Sequence, residues 1–224
     1  MGFMKANITA DAVKENTSSY ISKSGIYDVT LKIVSVDVNE HGARSINFNV
    51  EHDGSENTFY GLKLDNNDGS DNYQAAIFNK LMIVTGITEL DDPETQTHKL
   101  GKDKVEKELE VLTEFEGVDV KVRVQEEYSK YNGEIRKRMV IRNFYRAEDG
   151  ATAEEIVNAE EGKEVTFGAK LEKDRAYAEN VTYKDDVTPE EVKAWKESKA
   201  NGGSSTSAPQ PKKGFAPKKP VFKK

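Results

Sequence analysis

The chain of 224 residues has no cysteine, which excludes disulfides, thiolate metal sites and a cysteine nucleophile and suits a reducing compartment. It has no apolar run near the roughly 20 residues that a membrane-spanning helix needs, so no membrane role is expected. Met1 to Tyr20 lacks a basic region followed by an apolar stretch, so there is no signal-peptide pattern and the expected location is cytoplasmic. His41, His52 and His98 are scattered without metal-ligand spacing, and no Ser/His/Asp order supports a catalytic triad. The acidic run Asp65–Asp71 fails the calcium-loop spacing, because Leu64 stands where the first acidic ligand belongs. No phosphate-cradling glycine fingerprint is present. No cofactor, no metal and no enzymatic activity are expected.

What the chain does have is unevenly spread charge. Charged residues make up 33% and hydrophobic residues 36%, with a net charge of −7. Residues 199–224 hold seven lysines and no acid, and without those seven positive charges residues 1–198 carry −14. An acidic body with local basic regions is the pattern of an interaction protein.

The sharpest local signal runs from Val118 to Phe144. Val118, Val120, Val122 and Val124 alternate with Asp119, Lys121, Arg123 and Gln125. Asn132-Gly133 then supplies a two-residue type I′ turn. That turn predicts a ladder in which Tyr131 faces Glu134, Ser129 faces Arg136, Glu127 faces Arg138, Arg123 faces Arg142 and Lys121 faces Phe144. Alternation would give one apolar face and one face bearing Lys121, Arg123, Arg136, Arg138 and Arg142, with Tyr131 and Phe144 at its ends. Opposed like charges such as Arg123 and Arg142 destabilise a free sheet, and a polyanion would relieve that cost. Single-strand binders combine such a basic groove with rings on which bases stack, which adds Phe59 and Lys63 on a neighbouring strand to the candidates. A solvated charged face is the plain alternative, and a protein–protein module that uses the basic face on an acidic partner is the functional one.

Elsewhere the pattern predicts a meander of three strands. Tyr27, Val29, Leu31 and Ile33 open the first, whose phase then changes to Val34, Val36 and Val38, as at a bulge. Ile46, Phe48 and Val50 line the second, and Tyr60, Leu62 and Leu64 the third. Tyr73, Ile77, Leu81 and Val84 predict a helix from about Asn72, ended by Gly86. Glu89 to Glu110 reads as a mobile polar loop. Thr152 with Glu155 predicts a capping box, Val165, Phe167 and Leu171 an extended piece, and Thr188-Pro189 a last helix. The expected fold is mainly β: an OB-fold-like five-stranded barrel with a helix between strands 3 and 4, short C-terminal helices and a disordered tail. The predicted organisation is a lead-in at 1–22, an OB-like nucleic-acid-binding domain at 23–187, a helix at 188–200 and a disordered basic tail at 201–224. In that tail Lys212, Lys213, Lys218, Lys219, Lys223 and Lys224, interleaved with Phe215 and Phe222, read as an electrostatic arm for phosphates.

Ser24–Thr30, Lys80-Leu81-Met82 through Thr85-Gly86, Leu112–Gly117, Gln125–Tyr128 through Asn132-Gly133-Glu134 to Arg138-Met139, and Thr152–Ile156 together resemble segments of a group of tailed-phage single-stranded DNA-binding proteins. The resemblance covers roughly residues 20–160, in order. It implies an OB-fold protein that coats single-stranded DNA during phage replication or recombination, in company with other replication or recombination proteins. The C-terminus departs from the pattern, because many proteins of this function end in an acidic tail and this chain ends in lysines.

Overall fold

The structure, a computed structural model, describes residues 19–101 and 103–200. The expectations for residues 1–18 and for the lysine-rich arm at 201–224 lie outside the described residues. Among the described residues the fold is mainly β: one open, largely antiparallel sheet of eight strands with four α-helices. No helix among the described residues is long and apolar enough to cross a membrane.

Strand β1 (Gly25–Val38) is the hub, pairing along its length with β2, β5 and β6. Its phase change is a bulge, with the register slipping between Leu31 and Ile33, so Leu31 and Val34 both reach the core. Strand β2 (Arg44–His52) buries Ile46, Phe48 and Val50, as its alternation predicts. Strand β3 (Ser55–Lys63) breaks the expected alternation. Ile46 pairs with Leu62 and Phe48 with Phe59, so Tyr60 and Gly61 together oppose Asn47. Gly61 takes φ 72° at this bulge and its N–H donates to Asn47 Oδ1 at 2.9 Å. Phe59 and Leu62 consequently both turn inward, and Tyr60 turns out instead of sharing the face of Leu62.

Helix α1 (Ala75–Thr85) buries Phe78, Leu81 and Val84 and ends at Gly86 in the left-handed conformation. It starts later than the periodicity predicts, which leaves Tyr73 outside it and exposed. The polar stretch expected to be a loop is a hairpin, β4 (Glu94–Leu100) with β5 (Val105–Val111). It joins the body where Val111 and Glu110 pair with Ser35 and Val36 of β1. A short 3₁₀ turn at Thr113–Phe115 then drops Phe115 into the core, its ring 5.7 Å from that of Phe78.

Strands β6 (Asp119–Tyr131) and β7 (Glu134–Arg146) form the long hairpin, which packs Val120, Val122, Val124, Ile141 and Phe144 into the same core. Burying each such side chain contributes about 1.5–3 kcal/mol. Helix α2 (Ala153–Glu160) has the predicted capping box between Thr152 and Glu155. The carboxylate of Glu155 also accepts the N–H groups of Gly168 and Lys170. Of the piece expected to be extended, Val165 and Phe167 lie outside any strand and Leu171 lies in helix α3 (Ala169–Arg175), entered through Gly168 at φ 77°. A Cβ there would lie 2.5 Å from the Asp149 carbonyl oxygen, so only glycine fits. Two-residue strand β8 (Thr182–Tyr183) pairs in parallel with β6, and helix α4 (Pro189–Ala200) follows. Val187, Val192 and Trp195 close around Tyr128 as a second small core.

Three strands, a helix and a strand pair therefore occur in the expected order, with hairpin β4–β5 inserted before the pair. Strand β7 pairs only with β6 and β3 only with β2, so the sheet stays open between β3 and β7.

Candidate nucleic-acid interface

The β6–β7 ladder keeps the predicted register from the turn as far as Val124 opposite Ile141. Tyr131 faces Glu134, Ser129 faces Arg136 and Glu127 faces Arg138. Asn132 and Gly133 have φ 51° and 78°, the positive values that a type I′ turn requires. Beyond Val124 a bulge adds one residue to β7. Arg123 then faces Asn143, not Arg142, and Lys121 faces Tyr145, not Phe144. Phe144 moves opposite Val122 and into the core, 1% exposed, with its ring 5.6 Å from Phe48. Phe59 is 4% exposed in the same core. As placed, neither ring offers a face to a base.

The five expected cations separate into two groups. Three are held by the protein's own oxygen atoms. Lys121 Nζ lies 2.5 Å from the carboxylate of Asp28, its ladder partner on β1. Arg123 donates to the Tyr177 carbonyl at 3.2 Å and lies 3.7 Å from Asp174. Arg142 donates to Gln125 at 2.7 Å, Thr182 at 3.1 Å and Glu127 at 3.3 Å. The segment carrying α3 and β8 lies along this part of the hairpin and supplies Asp174, the Tyr177 carbonyl and the Thr182 hydroxyl. Asp28 on β1 and Glu127 on β6 supply the other acids, so internal carboxylates neutralise the charge that sequence alone assigns to a polyanion. Asp174 also accepts from the Tyr145 hydroxyl at 2.8 Å and meets Lys170 at 3.3 Å. Burial first, and Asp174 second, hold the Tyr145 phenol well above its ordinary pKa. Nearby, burial pushes the Glu126 carboxyl up, but the Tyr128 hydroxyl and Lys137 more than offset this and leave it below its usual range.

The other cations are exposed and form no ion pair among the described residues. Arg136 stacks its guanidinium 4.2 Å from the ring centroid of Tyr131, itself 56% exposed. Arg138 stands on the free edge of β7, where a narrow cleft separates it from β3. Tyr60, Gly61 and Gln74 line the opposite side of that cleft. Tyr60 is 68% exposed. Gln74 Oε1 accepts the Lys63 N–H at 2.8 Å, and its amide donates to the Tyr73 hydroxyl at 3.2 Å. Lys63, Tyr73, Gln74, Tyr60, Arg138, Arg136 and Tyr131 therefore follow one another along the open seam and down the hairpin arm. Three exposed rings and three exposed cations that form no ion pair among the described residues thus lie along one line, which is the combination that single strands favour.

Tyr60 and Tyr73 were missed by pattern reading. Glycine inside a strand marks a bulge, and Gly61 was the signal that its neighbour could face outward. Tyr60 also borders the outer face of β2 and β3, where Asn47, Asn49 and Thr58 present neutral polar groups. Among the described residues no three His, Asp or Glu side chains gather where they could hold a metal ion. No family model matches the chain, and no curated protein is significantly similar to it.

Proposed function

We propose that this protein is a sequence-tolerant single-stranded DNA-binding protein that acts by binding, without chemistry, in phage replication or recombination in the host cytoplasm. In this reading β1, β2, β3, β6 and β7 with α1 constitute an OB-type barrel opened at the β3–β7 seam. Such folds take oligonucleotides on the second and third strands and adjacent loops. Arg136, Arg138 and Lys63 neutralise phosphates while Tyr60, Tyr73 and Tyr131 stack bases, each stack contributing about 1–3 kcal/mol. Lys121, Arg123 and Arg142 serve the fold and not the ligand. The observation that carries the reading is the gathering, along one open strand edge, of exposed rings and of cations that form no ion pair among the described residues. The phage setting and the replication partners come from the sequence resemblance alone.

A labelled oligo-dT gel shift, with RNA and duplex DNA of equal length beside it, tests this directly. The expected result is a shifted single strand and an unshifted duplex. A free oligonucleotide at every protein concentration would favour the other reading, in which Arg136 and Arg138 meet an acidic protein partner.

A further inference from the structure

Resting on that reading, we propose that hairpin β4–β5 is the second wall of the nucleic-acid groove, so that the strand passes beneath it and is enclosed. At its base the hairpin is tied to β1 through Ser35, Val36 and the Leu112 N–H, which donates to Val34 at 2.8 Å. At its far end Lys104 reaches across to Glu56 on β3, Nζ to carboxylate 3.2 Å. Between these two ties the hairpin stands off the outer face of β2 and β3 and leaves two adjoining cavities of about 640 and 850 Å³. Both are lined by Asn49, Thr58, Tyr60 and Leu100, so they form one passage. The exposed ring of Tyr60 ends it at the β3–β7 seam, where Arg138 begins the cation run.

The lining fits bases better than phosphates. The floor is neutral amide and hydroxyl groups with the Tyr60 ring, and Leu100 and Leu109 on the hairpin supply an apolar roof. Asp37, Glu108 and Glu110 outnumber Lys107 at the inner end, and their net negative charge repels phosphate there. Bases therefore point inward and the sugar–phosphate chain outward. The Lys104–Glu56 pair is exposed on both sides, and such pairs contribute little. It is a contact that a strand can open and that re-forms once the strand has entered.

A topological experiment tests this, helped by the absence of native cysteine. The double variant Glu56→Cys/Lys104→Cys is bound to circular and to linear single-stranded DNA at low salt. A short bismaleimide then joins the two thiols, and salt is raised to about 1 M, where the Debye length is ~3 Å and phosphate contacts fail. The expected result is that cross-linked protein stays on the circle and leaves the linear strand, while protein without cross-linker leaves both. Release from both, or equal retention on both, overturns the enclosure. Absence of any complex at low salt, before cross-linking, refutes the single-strand reading itself.

Discussion

Exchanging Arg136 and Arg138 together for serine should flatten the salt dependence of oligonucleotide binding. On a single strand each phosphate contact contributes about −0.7 to the slope of log K against log[salt]. Lys63, Arg136 and Arg138, exposed cations of the seam and arm that form no ion pair among the described residues, give about −2.1. Between about 50 and 200 mM salt this is roughly a 20-fold loss of affinity. With Lys63 alone the slope is about −0.7 and the loss about threefold. The C-terminal lysines add equally to both proteins, so the difference of about 1.4 in slope is the diagnostic quantity. Among the described residues neither arginine is paired with a carboxylate, and Arg136 loses only its stacking on the exposed Tyr131 ring, so the variant should keep its unfolding midpoint. Fluorescence anisotropy of labelled oligo-dT across a salt series reads the slope. An unchanged slope in the double variant would refute the assignment of phosphate contacts to this arm.

Arg123→Ser should act on stability: it removes a charged hydrogen bond to the Tyr177 carbonyl and an ion pair with Asp174, costing about 1.5–3 kcal/mol by urea denaturation, with the salt slope unchanged. Phe144→Ala should cost about 3–5 kcal/mol, the range for emptying an aromatic site in a packed core, and a loss below 1 kcal/mol would contradict its placement against Phe48. The pH dependence has two limbs. Glu126, Asp149 and Glu155 are held below the ordinary carboxyl range, so their stabilisation is present above about pH 4 and is lost as pH falls through the folded-state values. Tyr128 and Tyr145 are held above the ordinary phenol value, so theirs is present below about pH 10 and is lost as pH rises beyond it. Urea midpoints measured from pH 2 to 11 should form a plateau with falling flanks, and a midpoint that rises on acidification below pH 4 would contradict this.

The local signals that read correctly were those with a stereochemical cause. Asn132-Gly133 fixed the turn, Gly86 the end of α1, and Thr152 with Glu155 the start of α2, because few other residues satisfy those geometries. Bulges were harder. One extra residue in β7 reverses the parity of everything beyond it, which is why Phe144 went to the core and the Arg123–Arg142 opposition disappeared. The same effect at Tyr60-Gly61 turned Tyr60 outward. Hairpin β4–β5 left no apolar period to detect, because both its strands are mostly exposed. The pairing of Arg123 with Asp174 and of Lys121 with Asp28 depends on contacts 51 and 93 positions apart in the chain, beyond the reach of any local pattern.

Photo-cross-linking of oligo-dT to the native protein, with the adducts located by peptide mass spectrometry, addresses the central claim most directly. Adducts on Tyr60 and Tyr131 are the predicted result, because these exposed rings stand at the two ends of the Arg138–Arg136 run. Adducts confined to peptides remote from the β3–β7 seam and the hairpin arm would contradict it.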